Sequence, residues 1–205
     1  MRRTDLLFYA VDWFSQLEAQ RRGLDEFAQK LQAADFARAS LDQLADELFQ
    51  KCALDIPTVD PANIEVSQKE AMIELSPADR FSYGDRVRAV KGTSVTVYLP
   101  FSGDGDMFKV QPSTYDMNPP RGHVEGKNVV FTISGANLDA AAVRRQIDAT
   151  IASIQAYLGY QRSAVEEFHA DLRRRSVEAI NRRKAKVDRD KSLIDGLGFK
   201  QRSGG

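Results

Sequence analysis

Hydrophobic residues recur every three or four positions over the first quarter of the chain. Leu7, Val11 and Phe14 follow this period and share a wide apolar face, which is typical of an amphipathic helix. The pattern predicts helices between residues 4 and 54, with a break or bend at residues 21–23.

A helix start is marked most clearly at Ser40. Gln43 follows it three residues later, which is the capping-box pattern. The apolar stripe that comes next ends at Cys52, the only cysteine of the chain. A single cysteine excludes an internal disulfide framework and a multi-cysteine zinc site. Its place in an apolar stripe indicates a buried, inert thiol rather than a nucleophile. The stripe consists of Leu41, Leu44, Leu48 and Cys52.

The period changes to two after Pro57 and Pro61, which cannot continue a helix. The segment NIEVSQKEAMIEL allows two short strands. The segment RVRAVKGTSVTVYLPF alternates, with Val97 and Leu99 on one face, and GHVEGKNVVFTIS predicts a hairpin around residues 126–128. Because no helical pattern separates these strands, we expect an antiparallel sheet of about five strands.

The last apolar pattern is close to a heptad from Ile151 onward, with Leu158, Val165 and Leu172 following at intervals of seven. It predicts a long helix, or two helices joined near Gly159, ending as a helical hairpin or coiled coil. Glycine lowers helix stability, so Gly159 is the expected kink or break.

These patterns together predict an α+β fold of four consecutive sections. Residues 1–55 form an N-terminal helical section, and residues 56–136 form the antiparallel β section with a long Pro/Gly loop. Residues 137–195 form the long helical segment, and residues 196–205 form a flexible tail.

Composition is ordinary for a protein of one or two domains, with 42% hydrophobic and 28% charged residues. No apolar stretch approaches the roughly 20 residues of a membrane span. The apolar run near the N-terminus is too short for a signal peptide and lacks its cleavage site. We therefore expect a cytoplasmic location without membrane contact.

Charge is balanced overall, with 29 basic and 29 acidic residues, but it is unevenly placed. Residues 1–60 hold eleven Asp or Glu against seven Arg or Lys, and residues 173–191 hold nine basic against three acidic residues. An acidic start and a basic end indicate self-association or a polyanion partner.

The basic segment gives the first group of candidate binding residues. Three of its arginines recur every seven positions, so one helix face is cationic and could follow a phosphate backbone. The alternative is a solvated face, or one that docks on the acidic helices. No aromatic residues interleave, so base stacking is not implied. The candidates for polyanion binding are Arg175, Arg182, Arg183, Lys184, Lys186 and Arg189.

The Pro/Gly loop at residues 100–122 gives the second group. Asp104 and Asp106 have the spacing of carboxylate ligands, but the further oxygens of a calcium loop are missing. We interpret the loop as an ordered structural excursion that also presents a recognition surface through Asp104, Asp106, Tyr115 and Arg121. A hydrolase site in this loop is the alternative.

Other chemistry finds little support in the sequence. His123 and Glu125 have the His-x-Glu spacing of zinc deaminases, but the two cysteines that complete that site are missing. His169, far away in sequence, is interpreted as facing solvent. The sequence has no phosphate-binding or dinucleotide glycine motif, so no metal, cofactor or small-molecule ligand is expected.

Text motifs in the second half resemble an uncharacterised region that precedes effector domains in bacterial defence-type proteins, where the effector is nuclease-like or TIR-like. The motifs are PFSGDGDMF, QPSTYDMNPPRG, LGY and VEEFHADL. The resemblance implies a regulatory, sensing or assembly part and no catalytic residues. The leading hypothesis is therefore a non-enzymatic sensor or scaffold of an antiviral defence system, whose helices mediate self-association or bind an effector protein. The alternatives are a nucleic-acid-binding module and the hydrolase.

Overall fold

The computed structural model describes residues 6–74, 88–115 and 118–199. The chain divides into two compact units. The sheet unit contains residues 1–13 and 55–162, and the helical unit contains residues 14–54 and 163–205. The sections predicted from the sequence are consecutive, whereas each unit is assembled from two separated segments.

The sheet unit is organised around one long central strand. The strands of the described chain are β1 Val11–Asp12, β2 Thr58–Val59, β3 Glu65–Glu74, β4 Ala89–Ser102, β5 Val110–Gln111, β6 His123–Glu125 and β7 Asn128–Gly135. The central strand, β4, pairs with β7 on one side and with β2 and β3 on the other, and β6 pairs with β7. All these pairings are antiparallel, which confirms the predicted sheet of about five strands.

Alternation along β4 and β7 creates the core of the sheet unit. Val97 and Leu99 are fully buried, and Val97 lies opposite Phe131 of β7. The first part of the long C-terminal helix covers this face of the sheet with its own apolar stripe. That stripe consists of Ile147, Ile151, Ile154, Tyr157 and Leu158.

Two local predictions differ from the structure. The segment expected to form two short strands is one ten-residue strand, β3. Residues 6–12, expected to be helical, instead form a turn at Leu7 and Phe8 followed by the short strand β1, which pairs in parallel with β5. The Leu7 N–H donates to the Pro120 carbonyl at 2.9 Å, and the Ala10 N–H donates to Lys109 at 2.9 Å. These long-range backbone bonds replace the local bonds of a helix, because Leu7 and Phe8 bury their side chains in the sheet core.

The C-terminal helix, α4, runs continuously over Ala140–Leu197, a length of 58 residues. Asp139 caps its start by accepting the Ala142 N–H at 2.9 Å. The prediction of a long helix is confirmed. The break expected at Gly159 does not occur, so this segment is one helix and not a hairpin.

The helical unit packs three helices with the second half of α4. They are α1 Trp13–Lys30, α2 Ala33–Arg38 and α3 Leu41–Cys52. Residues 21–23 do not interrupt α1. The capping box at α3 is confirmed: the Gln43 N–H donates to Ser40 Oγ at 3.2 Å, and the Ser40 N–H donates to Gln43 Oε1 at 2.9 Å. Cys52 is buried, and burial raises the pKa of its thiol, as expected for an inert residue.

Candidate functional site

The aspartates of the Pro/Gly loop are engaged in turn geometry. Asp104 caps a short 3-10 helix, Gly105–Lys109, by accepting the Asp106 N–H at 2.9 Å. The Asp106 carboxylate accepts a hydrogen bond from the Lys109 ammonium at 2.7 Å. Gly103, with φ +92°, provides the left-handed turn that leads into this helix. Both carboxylates therefore have a local structural role.

A buried glutamine of α4 fixes the same loop from below. Gln161 is 0% exposed, and its Nε2 donates to the carbonyls of Met107 at 3.0 Å and Val110 at 2.7 Å. Phe108 is buried beside Phe101, with ring centroids 4.9 Å apart. The sequence showed Gln161 only as a polar interruption of the heptad. A polar residue at an apolar heptad position is the signal that could have revealed this anchor.

The four candidate recognition residues of the loop do not converge. Arg121 lines a cleft beside β7, whereas Asp104 and Asp106 line a neighbouring depression, and Gly122 and His123 border both. Tyr115 is half exposed and lines neither. Among the described residues, no three His, Cys, Asp or Glu side chains are grouped as a metal ion requires. Within the same residues, we therefore find no geometry that supports a hydrolase in this loop.

Most of the candidate basic residues of α4 have partners nearby. Arg175 Nε donates to Asp171 at 2.7 Å, and Arg183 Nε donates to the Leu31 carbonyl at 2.8 Å. Among the described residues, the remaining pairs within 4.0 Å are Arg182 with Asp25 and Glu178, Lys184 with Asp188 and Lys186 with Asp190. These carboxylates compete with any polyanion for the same cations, although exposed pairs of this kind contribute little stability.

Two cations near the end of α4 differ from this group. Arg189 and Lys191 have no ion pair within 4.0 Å among residues 6–74, 88–115 and 118–199. Of the six candidates, Arg189 is thus the one whose charge is least neutralised by a direct partner.

The last turns of α4 are the most exposed helical segment of the described chain. Every residue from Asp188 to Phe199 is exposed, whereas Leu172 and Ile180 earlier in the helix are buried. The exposed residues include large apolar side chains: Leu193 is 65% and Leu197 54% exposed. The sequence pattern showed the thinning of the stripe but not that its apolar members would lack a cover.

An acidic surface lies on the short helices of the same unit. Asp42 and Asp46 are exposed one turn apart on α3, and neither has an ion pair within 4.0 Å with a described residue. Carboxylates at this spacing repel each other and destabilise a helix. Glu47 differs, because a hydrogen bond from Arg38 lowers its pKa.

His169 is not the solvent-facing histidine that the sequence suggested. Its Nε2 accepts the Leu54 N–H at 3.2 Å, and its ring meets the edge of Phe49 at 5.5 Å between centroids. Burial, together with the charge of Arg173, lowers the pKa of His169. The imidazole is therefore a neutral acceptor that holds the end of α3.

Comparison of the chain with protein-family models, curated proteins and solved structures gives no match to any of them. Among the described residues, no helix combines the length and the apolar character of a membrane span. Function must therefore be argued from the geometry above.

Proposed function

We propose that the protein is a non-enzymatic scaffold that self-associates through its helical unit. The exposed end of α4, defined as residues 188–199, would dock on the acidic α2–α3 surface of another copy. The observation that carries this proposal is that every residue from Asp188 to Phe199 is exposed, although four of them are large and apolar. These four are Leu193, Ile194, Leu197 and Phe199.

The apolar side chains favour a protein surface as the partner of this segment. Full burial of one leucine or isoleucine contributes about 1.5–3 kcal/mol relative to exposure. Leu193 and Leu197 lie four residues apart and share a face with Ile194. A helix end without tertiary packing is marginal in water. Docking would therefore both cover these residues and stabilise the last turns.

Charge favours a second copy as the occupant. The exposed end itself contains two basic and three acidic residues, so the attraction depends on Arg189 and Lys191 and not on its net charge. Helices α2 and α3 together contain four acidic and two basic residues. Contact between Arg189 or Lys191 and the exposed Asp42 and Asp46 relieves the repulsion between those carboxylates. Such a head-to-tail contact is heterologous, and it builds rings or filaments.

The resemblance to regions that precede effector domains suggests what the assembly would do. A scaffold in front of a nuclease-like or TIR-like effector would bring several effectors together in an antiviral response. This role depends on the text motifs alone, whereas the self-association depends on the exposed residues of α4.

Light scattering over a range of protein concentrations tests the assembly. We expect species larger than a monomer that dissociate with added salt. The double variant Leu193→Ser, Leu197→Ser should be monomeric, whereas Val177→Ser, at an exposed position of the same helix, should assemble like the parent. A strict monomer at every concentration would contradict the proposal.

A charge exchange tests the docking surface itself. One double variant carries Arg189→Glu and Lys191→Glu, and the other carries Asp42→Lys and Asp46→Lys. Each should fail to assemble by itself, whereas a mixture of the two should associate. Failure of the mixture to associate would exclude this pair of surfaces. If the parent stays monomeric but binds an oligonucleotide at low salt through Arg189 and Lys191, the nucleic-acid alternative replaces the scaffold.

A further inference from the structure

Strand β3 leaves one edge of the sheet unit open. It pairs along its whole length with β4, and within residues 6–74, 88–115 and 118–199 no strand pairs with its other edge. Eight of its ten residues are exposed, and the other two, Ala71 and Ile73, are half-buried. A long exposed edge of this kind is a template on which a further strand can pair.

The register shows which backbone groups this edge offers. The Phe101 N–H of β4 donates to the Lys127 carbonyl, on the β7 side, at 2.9 Å. Alternation then turns the backbone groups of every second residue of β4 toward β7 and those of the residues between, such as Tyr98, toward β3. Tyr98 lies opposite Glu65, so the odd-numbered residues of β3 pair with β4. The even-numbered residues direct their N–H and C=O groups away from β4, and these include Val66, Gln68, Glu70 and Met72.

Unpaired carboxylates lie along this edge. Glu65, Glu70 and Glu74 are exposed, and none has an ion pair within 4.0 Å with a described residue. Lys69 is the only basic residue of the strand, so three carboxylates against one ammonium give β3 a net charge of −2. Opposite charges that face each other directly across two strands stabilise the pair. A strand with Lys or Arg opposite these glutamates is therefore favoured.

The strand behind β3 does not cancel this charge. Lys91 of β4 lies opposite Met72, and Arg88 directly precedes β4. Both are two strand spacings, about 10 Å, from the backbone of an added strand, which is about one Debye length at 0.1 M salt. Directly opposite residues have Cβ atoms only about 4.5–5.5 Å apart. The glutamates therefore dominate, and the edge favours a basic strand over an acidic one.

Two exposed apolar side chains specify a second feature of the partner. Val66 is 60% and Met72 63% exposed, and both are on the same face of β3 as Glu70. Apolar side chains opposite Val66 and Met72 would remove this surface from water. The edge thus fits a strand in which basic and apolar residues share one face.

A second copy of β3 fits this edge poorly. Two identical antiparallel strands are related by a two-fold axis, so one residue lies opposite its own copy. In the two registers with the longest overlap, this residue is Lys69 or Glu70. Like charges directly opposite each other destabilise strand pairing. The edge therefore disfavours self-pairing.

We propose that the free edge of β3 binds an extended basic segment of a partner protein, which adds a strand to the sheet. Its backbone pairs with the outward groups of the even-numbered residues. Lys or Arg side chains lie opposite Glu70 and Glu74, and apolar side chains lie opposite Val66 and Met72. This is strand addition, in which backbone bonds give affinity and alternate side chains give specificity. The proposal does not depend on the scaffold described above.

Selection from a displayed library of random decapeptides identifies the probe. We expect the enriched sequences to alternate β-forming residues and to carry more Lys and Arg than Asp and Glu. A synthetic peptide of their consensus should bind the full chain in fluorescence anisotropy, and its affinity should fall as salt is added. Enrichment of acidic or uncharged sequences, or no enrichment at all, would contradict the proposal.

A charge reversal tests the choice of partner. The double variant Glu70→Lys, Glu74→Lys should bind the consensus peptide about tenfold more weakly, because two attractive cross-strand pairs become repulsive. The control Glu166→Lys, Glu167→Lys makes the same change of net charge at exposed positions of α4 and should bind as the parent does. Equal binding by the two double variants would exclude the glutamates of β3.

Two further measurements separate this edge from the scaffold proposal. Asp42→Lys, Asp46→Lys should keep peptide binding, whereas loss of binding would place the peptide on the α2–α3 surface and exclude β3. In light scattering, Glu70→Lys, Glu74→Lys should have the same oligomeric state as the parent. A changed oligomeric state would make the edge an interface between copies and overturn the proposal.

Gln68→Pro tests the strand pairing. It removes an outward N–H while leaving the ladder to β4, and proline is tolerated at strand edges. Loss of one backbone hydrogen bond should weaken peptide binding about threefold to tenfold. The control Gln68→Val keeps the N–H and should bind at least as well as the parent does. Equal binding by the proline variant would exclude backbone pairing at this edge.

Hydrogen exchange supplies a readout that needs no substitution. The bound peptide should slow exchange of the outward amides, which belong to Val66, Gln68, Glu70 and Met72. The odd-numbered amides of β3 already pair with β4 and should change less. Unchanged exchange at all four outward amides would overturn the proposal.

Discussion

The Pro/Gly loop and the exposed end of α4 differ in how well their sequence indicates what their surface does. The loop is rich in groups associated with chemistry, yet Asp104 and Asp106 serve a turn and Lys109 neutralises one of them. The end of α4 has lost its sequence pattern, yet it exposes several apolar side chains. A polar group that is satisfied within its own loop is poor evidence for a site, whereas apolar surface left in water is good evidence for a partner.

This comparison predicts that substitution of a buried anchor of the loop lowers the free energy of unfolding, whereas substitution at the exposed tip leaves it nearly unchanged. Phe108→Ala should lower the free energy of unfolding by about 3–5 kcal/mol, because the ring is buried against Phe8 and Phe101. Tyr115→Ala, at a half-exposed position of the same loop, should change it by less than about 0.5 kcal/mol. Chemical denaturation measures both. Similar losses for the two variants would mean that the tip is packed as tightly as the anchor.

The polar anchor should have the next largest effect. Gln161→Met removes both donors to the Met107 and Val110 carbonyls and leaves these without their partner, which costs about 1–3 kcal/mol for each buried group. The unpaired Oε1 of Gln161 is removed as well, which offsets part of the loss. We expect the free energy of unfolding of Gln161→Met to fall by about 2 kcal/mol in total. Gln155→Met, at an exposed position of α4, is the control and should leave the unfolding midpoint unchanged.

The cap of the 3-10 helix should matter less than either anchor. Asp104→Ala removes the acceptor of the Asp106 N–H, and loss of such a cap costs about 1 kcal/mol. Asp106→Asn breaks only the exposed ion pair with Lys109. We expect it to lower the free energy of unfolding by less than about 0.5 kcal/mol. A larger loss for Asp106→Asn, measured by thermal unfolding, would give that carboxylate a role beyond the turn.

In the helical unit, the contact between α3 and α4 should depend on pH. The pKa of His169 is lowered in the folded state, so the unfolded state binds the proton more readily. The stability it contributes is present above its unfolded pKa of about 6.5 and decreases as pH falls below that value. Unfolding measured between neutral and mildly acidic pH should show this slope. It should be reduced in His169→Asn and retained in His123→Asn, because it is His169 that accepts the Leu54 N–H.

The sequence predicted those features whose cause lies within one element. Alternation at Val97 and Leu99 indicated the sheet, and the heptad through Ile151 and Leu158 indicated the long helix. Gly159 did not break α4, since a single glycine costs about 1 kcal/mol and packing on either side outweighs it.

Features that depend on distant partners could not be read in this way. Leu7 lies at helical spacing from Val11 and Phe14, but the backbone N–H groups of Leu7 and Phe8 donate to the carbonyls of Pro120 and Phe108. The pairing of β6 with β7 is confined to residues 128–130, which is a property of register and not of composition. Hydrophobic periodicity indicates which face of an element is buried, but it does not identify the element that packs against that face.

The smallest effect on stability should come from the surface with the largest effect on assembly. Leu193→Ser, Leu197→Ser should leave the unfolding free energy of the monomer within about 0.5 kcal/mol of the parent, because neither side chain is covered. The measurement is denaturation at a concentration where light scattering shows only monomer. A clear loss of monomer stability would mean that these leucines pack within their own chain. Unchanged stability with lost assembly would separate folding from association at this helix end, because only a second molecule can then account for their effect.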